Sequence, residues 1–147
     1  MNPMDVPLWT LDINVIVLGL LSPDGPPGRL VDAALARRLR FALDDRIVRE
    51  YRSVLARPKF GFKSADLALF FGILAHQQHL AVVPSEGLSA AEAADTKFLE
   101  VAAASESRVL VTGNTKHYPR SGRGHVRVLT PAEALVELAT VLGSPRG

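Results

Sequence analysis

The sequence predicts an α/β fold, in which a mostly parallel β-sheet is covered by helices on both faces. Short apolar segments of strand length alternate along the chain with segments of helical periodicity. The strand candidates are nearly continuous apolar runs, which is typical of parallel strands buried on both sides. The 147 residues, 48% of them hydrophobic, suit one globular domain. We expect a single domain over 1–147 with its core at about 8–142.

The first half of the chain begins with a strand and two helices. The apolar segment Leu8–Asp12 predicts a buried strand that passes into a short helix ending near Leu21. Turn residues occupy nearly every position of 22–28, which indicates a loop. Apolar residues at helical spacing predict a helix over Leu30–Leu39, and the strand Arg40–Leu43 follows it.

The middle of the chain has two further helices and a strand. Asp44 or Asp45 is expected to cap a helix that runs through Leu55, because an Asp side chain accepts the free backbone N–H groups of a first turn. Ser64 starts the next helix. The apolar segment Leu80–Val83, closed by a proline, predicts a short strand.

The last third completes the alternation. A Ser-x-x-Glu capping box at its start predicts a helix over Ser89–Ser105. Arg108–Thr112 and Val126–Leu129 are predicted strands. The segment Thr130–Glu133 combines an N-cap, a proline at the first helical position and a Glu two residues later, which marks a helix start. The predicted order is β-α-α-β-α-α-β-α-β-β-α.

Several classes of protein are excluded by what the sequence lacks. It contains no cysteine, so a disulfide scaffold, a thiolate zinc site and a cysteine nucleophile are all excluded. No apolar run approaches the roughly 18 residues that span a membrane. The first ten residues do not resemble a signal peptide. We therefore expect a cytoplasmic protein without a membrane anchor.

The positive charge is concentrated in two segments. The net charge is only +2, but residues 37–63 contain nine basic and three acidic side chains, and residues 116–127 contain four basic ones and no acid. Most of these cations are Arg, which suits bidentate contacts to phosphate. A solvated basic surface is the alternative, because a phosphate-binding face requires the two segments to converge in space.

Four polar residues occupy notable positions: two lie at strand ends, where an α/β fold binds ligands, and two are acids on or beside an apolar helix face, where burial of their charge is unfavourable. Asp12 and Asn114 follow predicted strands, at the sheet edge where ligands bind. Glu50 borders the apolar stripe of its helix, and Asp95 lies on the apolar face of its helix. Burying a carboxylate is unfavourable unless a cation compensates it. The three acids therefore suggest a shared cation.

Each of these residues also has a purely structural explanation. Glu50 could pair with Arg46 one helical turn earlier. Asp95 could be an N-cap if its helix starts late, and Asp12 could cap the helix that follows it. Asn114 could be only a turn residue.

Five segments of the chain, in order over about residues 9–138, resemble the PIN-domain family. They are Leu11-Asp12-Ile13-Asn14-Val15, Arg49-Glu50-Tyr51 with the following Val54–Phe60, Asp95–Glu100, Val111-Thr112-Gly113-Asn114 with Lys116-His117, and Thr130–Glu133. Within that family the chain is most similar to the VapC-like ribonucleases, the toxins of bacterial and archaeal toxin–antitoxin pairs.

The resemblance implies a three-layer α/β/α fold and metal-dependent cleavage of single-stranded RNA that leaves a 5′-phosphate. By position, Asp12 matches the acid of the first strand, Glu50 the helix acid and Asp95 the third acid, and these three are the implied metal ligands. Asn114 takes the fourth catalytic position, where many PIN domains have Asp. The implied cofactor is Mg²⁺ or Mn²⁺, which prefer hard oxygen ligands.

Two further residues match supporting positions of the family, and two positions depart from its pattern. Asn14 matches the Asn that supports the first acid, and Thr112 matches a hydroxyl that precedes the fourth position. Ile13 replaces a hydroxyl residue, and Asn114 can offer an oxygen but no charge. Weaker or one-metal binding is the expected consequence.

The expected partners follow from the same resemblance and from the charge pattern. RNA is the expected substrate, with phosphate contacts from Arg46, Arg49, Lys116 and Arg120. A cognate antitoxin protein is implied. The apolar residues of the helix starting at Ser64 extend over more than one face, and relatives commonly form homodimers, so a homodimer is expected.

Two other functions remain open from the sequence. The first is a PIN-fold protein that binds RNA or a partner with weak or no nuclease activity, because of the two departures. The second is another enzyme on a doubly wound sheet, which the absence of a dinucleotide-binding or P-loop motif disfavours.

Overall fold

An all-parallel sheet of five strands forms the centre of the molecule, in a computed structural model that describes residues 6–82 and 87–142. The strands are β1 (Leu8–Leu11), β2 (Arg40–Leu43), β3 (Gln78–His79), β4 (Val109–Val111) and β5 (Arg127–Leu129). Their spatial order is β3-β2-β1-β4-β5, so β1 is central. The chain crosses from one side of β1 to the other between β3 and β4. The edge where β1 and β4 end is therefore a topological switch point, the usual ligand site of such sheets.

Six α-helices accompany this sheet within the described residues. They are α1 (Ile13–Leu21), α2 (Pro26–Leu35), α3 (Asp45–Leu55), α4 (Ser64–Leu74), α5 (Thr96–Ala104) and α6 (Pro131–Leu142). Helix α2 packs against α1 and α6, whereas α5 lies against β1, β2 and β4 and contacts α3. The three-layer α/β/α fold and the order of its elements are confirmed. No helix in the described part of the chain is long and apolar enough to cross a bilayer.

Two helix starts form as the sequence predicts. Asp44 is the N-cap of α3, and its Oδ1 accepts a hydrogen bond of 3.0 Å from the backbone N–H of Ile47. At the start of α6, the Thr130 backbone N–H donates to Glu133 and the Glu133 N–H donates to Thr130 Oγ1, at 2.8 and 3.2 Å. This reciprocal pair is a complete capping box.

The predicted start of α5 is wrong. The helix begins at Thr96 rather than at Ser89, after one turn of 3-10 helix at Ala93–Asp95. The Ser89 backbone N–H instead donates to the carbonyl of Gly122, at 2.9 Å. The segment that resembles a capping box is thus hydrogen-bonded to the loop before β5 and does not begin a helix.

Other boundaries differ by a few residues. The prediction of a loop over 22–28 is wrong for its last three residues, because α2 begins at Pro26 and proline is compatible with a first helical turn. The helix ends at Leu35, earlier than the predicted Leu39. Strand β3 lies at Gln78–His79 instead of Leu80–Val83. Positions 83 and 84, at the end of that prediction, lie outside the described residues.

Candidate metal centre

The carboxyl ends of β1 and β4 place two polar segments side by side. Asp12 follows β1 directly, and its backbone N–H donates to the carbonyl of Val111 at 2.9 Å. The residue after β4 is Thr112, which is fully buried. Backbone pairing between the two strands therefore fixes the position of both side chains at the switch point.

Asp12 is the most firmly held acid of this site. Three side chains donate to its Oδ2: the hydroxyl of Tyr118 at 2.7 Å, the hydroxyl of Thr112 at 3.0 Å and the amide of Asn14 at 3.4 Å. Asn14 also donates to Thr112 Oγ1, at 3.4 Å. Oδ1 of Asn14 accepts a hydrogen bond of 2.9 Å from the backbone N–H of Gly113. Since the three donors converge on one carboxylate oxygen, Oδ1 of Asp12 accepts none of them.

The electrostatic environment of Asp12 is unfavourable to its negative charge. The residue is only 3% exposed, and this burial raises the pKa of its carboxyl group above the usual range. The hydrogen bonds from Tyr118 and Thr112 lower the pKa in part, and the charge of Glu50 raises it. The backbone N–H of Asn14 also lowers the pKa of Asp12, although this N–H group makes no capping hydrogen bond with the Asp12 side chain. A nearby cation would favour the ionised form.

Glu50 lies on α3 and is paired with a lysine that the sequence analysis did not single out. Its Oε1 is 2.6 Å from Nζ of Lys97 on α5, and the two side chains are 23% and 12% exposed. The alternative that Glu50 pairs with Arg46 is wrong. Arg46 is bound to Asp44 and Glu100 instead, with N–O distances of 2.8 and 2.7 Å.

Asp95 stands at the N-cap position of α5 but makes no capping hydrogen bond. Its side chain is 21% exposed. Partial burial and the charge of Asp12 raise the pKa of its carboxyl group, while Lys97 and His117 oppose the shift. Nδ1 of His117 is 3.9 Å from Asp95 Oδ2. Asp95 therefore lies within the electrostatic field of Asp12, and its side chain does not cap the helix.

Asn114, the residue at the fourth predicted position, is exposed and has a local structural role. Its Oδ1 accepts a hydrogen bond of 3.2 Å from the backbone N–H of Lys116, at the start of a 3-10 helix. Its Nδ2 is 3.0 Å from Nε2 of His117. The turn explanation thus describes its contacts, and its amide oxygen is already engaged by one donor.

These residues fit a hydrated divalent ion better than a preformed ligand cage. Within residues 6–82 and 87–142, no three Asp, Glu or His side chains stand ready to hold a metal ion together. Joint coordination by Asp12, Glu50 and Asp95 stays a prediction, and in the structure Oε1 of Glu50 is engaged by Lys97. Mg²⁺, however, keeps several waters and is usually bound by one or two carboxylates and substrate phosphates. Asp12 and Asp95 supply two carboxylates whose charges interact.

A groove beside the acids is lined by basic side chains of α3. Its volume is about 650 Å³, and its lining includes Arg49, Ser53 and Arg57, together with Glu50 and Lys97. Arg49 and Ser53 are one turn apart on α3, and Arg57 continues this stripe of groove residues two positions beyond the end of the helix.

The four residues predicted to contact RNA differ in their surroundings. Arg46 also lines this groove, but it is held by its two ion pairs. Arg49 is exposed in the groove. Lys116 and Arg120 are exposed in the loops that follow β4. Two arginines and a lysine are thus accessible, whereas Arg46 is engaged within the protein.

Two residues of the site were missed by sequence reasoning. Tyr118 is fully buried, and burial and the charge of Asp12 raise its pKa far above the usual range, so its hydroxyl stays protonated and donates. Its signal was an aromatic residue directly after a polar loop. Lys97 lies two positions after Asp95 in the sequence. Its signal was a lysine in the first turn of a mainly apolar helix.

The comparison with protein families agrees with this geometry. A family model described as PIN domain matches residues 10–116, which is most of the chain and includes the end of β1 together with α3, α5 and β4. The chain therefore belongs to the PIN-domain family, whose fold is of the nuclease type. Neither the curated proteins nor the solved structures contain a significant match to the chain.

Proposed function

We propose that this protein is a metal-dependent endoribonuclease that cleaves single-stranded RNA with Mg²⁺ or Mn²⁺. The observation that supports it best is the buried Asp12 carboxylate at the switch point, within the field of Glu50 and Asp95. Carboxylates that raise one another's pKa in a cleft are a common sign of a functional site. A divalent ion would compensate their charge, with Asp12 and Asp95 as its protein ligands.

The protein contributes mainly by holding these oxygens in place. When bound, the ion would supply charge neutralisation at a phosphate and a water of lowered pKa. Tyr118 and Thr112 orient the Asp12 carboxylate through Oδ2, which leaves Oδ1 as the ligand atom. Hydrolysis adds water across the bond between phosphorus and the 3′ oxygen, leaving a 5′-phosphate and a 3′-hydroxyl. No protein nucleophile is required.

The groove along α3 is the proposed path of the RNA backbone. Arg49 and Arg57 line it together with Ser53, and Glu50 lines the same groove. Planar guanidinium groups bind phosphate oxygens in pairs, so this stripe suits a phosphodiester chain. Lys116 and Arg120 would contact the strand from the loops after β4. Arg46 contributes charge rather than direct contacts, because both of its acidic partners are within the protein.

The biological role that we propose is that of the toxin in a toxin–antitoxin pair, a cytoplasmic protein with a cognate antitoxin protein. A homodimer through α4 is part of the proposal, because Leu69 is 65% exposed on a helix whose Phe70 and Leu74 are buried. Light scattering tests the dimer. Leu69→Glu is expected to give monomers and Ala68→Glu, on the same helix, to leave the mass unchanged. A monomeric parent protein would contradict the proposal.

Cleavage of single-stranded RNA in the presence of Mn²⁺ tests the activity. Asp12→Asn is expected to lower the rate about a hundredfold or more, because a lost metal ligand removes several kcal/mol of stabilisation. Asp66→Asn, which changes an exposed acid in the first turn of α4, is the control. Equal cleavage by Asp12→Asn and the parent protein would refute the mechanism. RNA binding without cleavage by either would favour the alternative of a non-cleaving RNA-binding protein.

RNA affinity at several salt concentrations tests the proposed path. Arg49→Ala and Arg57→Ala should each reduce the slope of log affinity against log salt by about 0.7, as expected for one lost contact to single-stranded phosphate. Arg29→Ala is the control, because Arg29 lines a different cavity between α2 and α6. Equal effects of all three substitutions would show that the groove has no special role.

A further inference from the structure

The ammonium group of Lys97 is held beside Glu50, where it lines the groove. Its Nζ is 2.6 Å from Glu50 Oε1 and donates a second hydrogen bond to the carbonyl of Ala94. It also lies 4.9 Å from the centre of the Phe98 ring. With only 12% of the side chain exposed, the ammonium is fixed by an acid, a carbonyl and an aromatic ring.

The position of Lys97 links two of the three acids. It pairs directly with Glu50 on α3, and its charge also acts on Asp95, two residues before it at the start of α5. Within the site, Lys97 therefore lies next to Glu50. Asp12, at the end of β1, is not among its partners.

The charge of the site then suits one divalent ion rather than two. The carboxylates of Asp12, Glu50 and Asp95 have three negative charges, and the ammonium of Lys97 offsets one of them. Asn114 adds none. One divalent cation neutralises the remaining charge, whereas a second would leave an excess of positive charge in a partly buried site.

We propose that Lys97 acts as a built-in monovalent cation that positions Glu50 and excludes a second metal ion, so that Asp12 and Asp95 would hold a single divalent ion. This inference rests on the proposed metal-dependent function and deepens it. Lys97 is a positioning residue, because it acts through Glu50 and through the charge that it adds. A lysine that only joined α3 to α5 would affect stability and leave the number of bound ions unchanged.

The test is the number of Mn²⁺ ions bound per chain, measured in the absence of RNA by calorimetry and by the electron paramagnetic resonance of free Mn²⁺. The parent protein is compared with Lys97→Met, which keeps the length of the side chain and removes its charge, and with Lys97→Arg, which retains the charge. Lys63→Met is the matched control, because Lys63 is exposed just before α4.

We expect one ion for the parent protein, Lys97→Arg and Lys63→Met. Lys97→Met should bind two ions, and the first about tenfold more tightly or better, because a positive charge close to the ion has been removed. Two ions in the parent protein, or one ion with unchanged affinity in Lys97→Met, would overturn the inference and leave the proposed function standing. No binding by the parent protein would overturn the proposed metal dependence as well.

Folding of the variant provides a second measurement. Lys97→Met leaves the partly buried Glu50 without its partner, so the ion-free variant is expected to melt at a lower temperature than the parent protein. Mn²⁺ should raise the melting temperature of Lys97→Met more than that of the parent, because the second ion replaces the ammonium. If the variant is unfolded without metal, Mn²⁺ should fold it. An equal rise in both proteins, or failure of Mn²⁺ to fold the variant, would contradict the proposal.

Discussion

The hydrogen bond between Tyr118 and Asp12 offers a direct test of how the site is held. The Tyr118 hydroxyl donates to Oδ2 of Asp12 at 2.7 Å, the shortest of the three side-chain bonds to that carboxylate. Tyr118→Phe removes the hydroxyl and keeps the fully buried ring. Tyr51→Phe is a matched control, because Tyr51 is equally buried and its hydroxyl donates to the uncharged backbone carbonyl of Leu11.

The two substitutions should differ in magnitude at neutral pH. A hydrogen bond to a charged group contributes about 1.5–3 kcal/mol, and one between neutral groups about 0.5–1.5 kcal/mol. Tyr118→Phe is therefore expected to lower the free energy of unfolding by about 1 kcal/mol more than Tyr51→Phe does. Both tyrosines remain protonated, since burial raises both pKa values above the usual range.

The pH dependence follows from the effect of the bond on Asp12. The bond from Tyr118 lowers the pKa of Asp12, so Tyr118→Phe raises that pKa further above its unfolded value. A carboxyl group whose pKa is raised on folding costs stability above its unfolded pKa, and this cost disappears below about 3.9, where both states are protonated. The excess loss in Tyr118→Phe should therefore shrink as the pH falls toward that value. The loss in Tyr51→Phe should stay nearly constant.

Urea unfolding over a series of pH values, in the presence of a chelator, measures both losses. The fluorescence of the single tryptophan, Trp9 in β1, reports on the core of the sheet. Identical pH dependence for Tyr118→Phe and Tyr51→Phe would refute the argument. A loss in Tyr118→Phe below about 0.5 kcal/mol at neutral pH would refute it as well.

Further expectations follow from the acids and from two glycines. The pKa values of Asp12 and Asp95 are raised on folding, so the ion-free protein should lose stability as the pH rises from the usual carboxyl range through these raised values. Mn²⁺ should offset that loss. A melting temperature with the same pH dependence with and without Mn²⁺ would contradict this expectation. Gly122→Ala should be destabilising in urea unfolding, because a Cβ would lie 2.0 Å from the carbonyl oxygen of Ser89. Gly72→Ala should instead stabilise by about 0.5–1 kcal/mol, since Gly72 lies in α4 with open space around its Cα, and a loss there would contradict the expectation.

The fold could be predicted where local chemistry and burial agree. The strand Arg40–Leu43 and the start of α3 at Asp44 follow from an apolar run and an N-cap, and both formed as expected. The start of α5 could not be predicted, because the Ser89 N–H group is bound by Gly122, a partner distant in sequence. Strand β3 was displaced for a related reason, since its register is set by pairing with β2. The errors thus fall where tertiary hydrogen bonds override local patterns.

The candidate site shows the same division. Strand order pointed to Asp12 and helical spacing to Glu50, because topology and periodicity determine which positions face inward. Asp95 was selected as part of the apolar face of its helix, which is wrong, because the helix begins only at Thr96 and Asp95 precedes it. The partners of these acids could not be read from periodicity. Lys97 on α5 pairs with Glu50 on α3, and Tyr118 donates to Asp12 from a loop more than a hundred residues later. Side chains that orient an acid are selected by three-dimensional contact, which a single sequence does not encode as a pattern.

Four acids of this chain form two pairs that differ in what their charge does for the fold. Glu133 caps α6 and Glu137 is paired with Arg127, and these contacts lower the pKa of each carboxyl group. Asp12 and Asp95 stand at N-cap positions without capping hydrogen bonds, and burial raises their pKa values. The first group stabilises the folded state in the ionised form, and the second destabilises it. A stable fold does not require the second group, and the metal-dependent function that we propose would account for its presence.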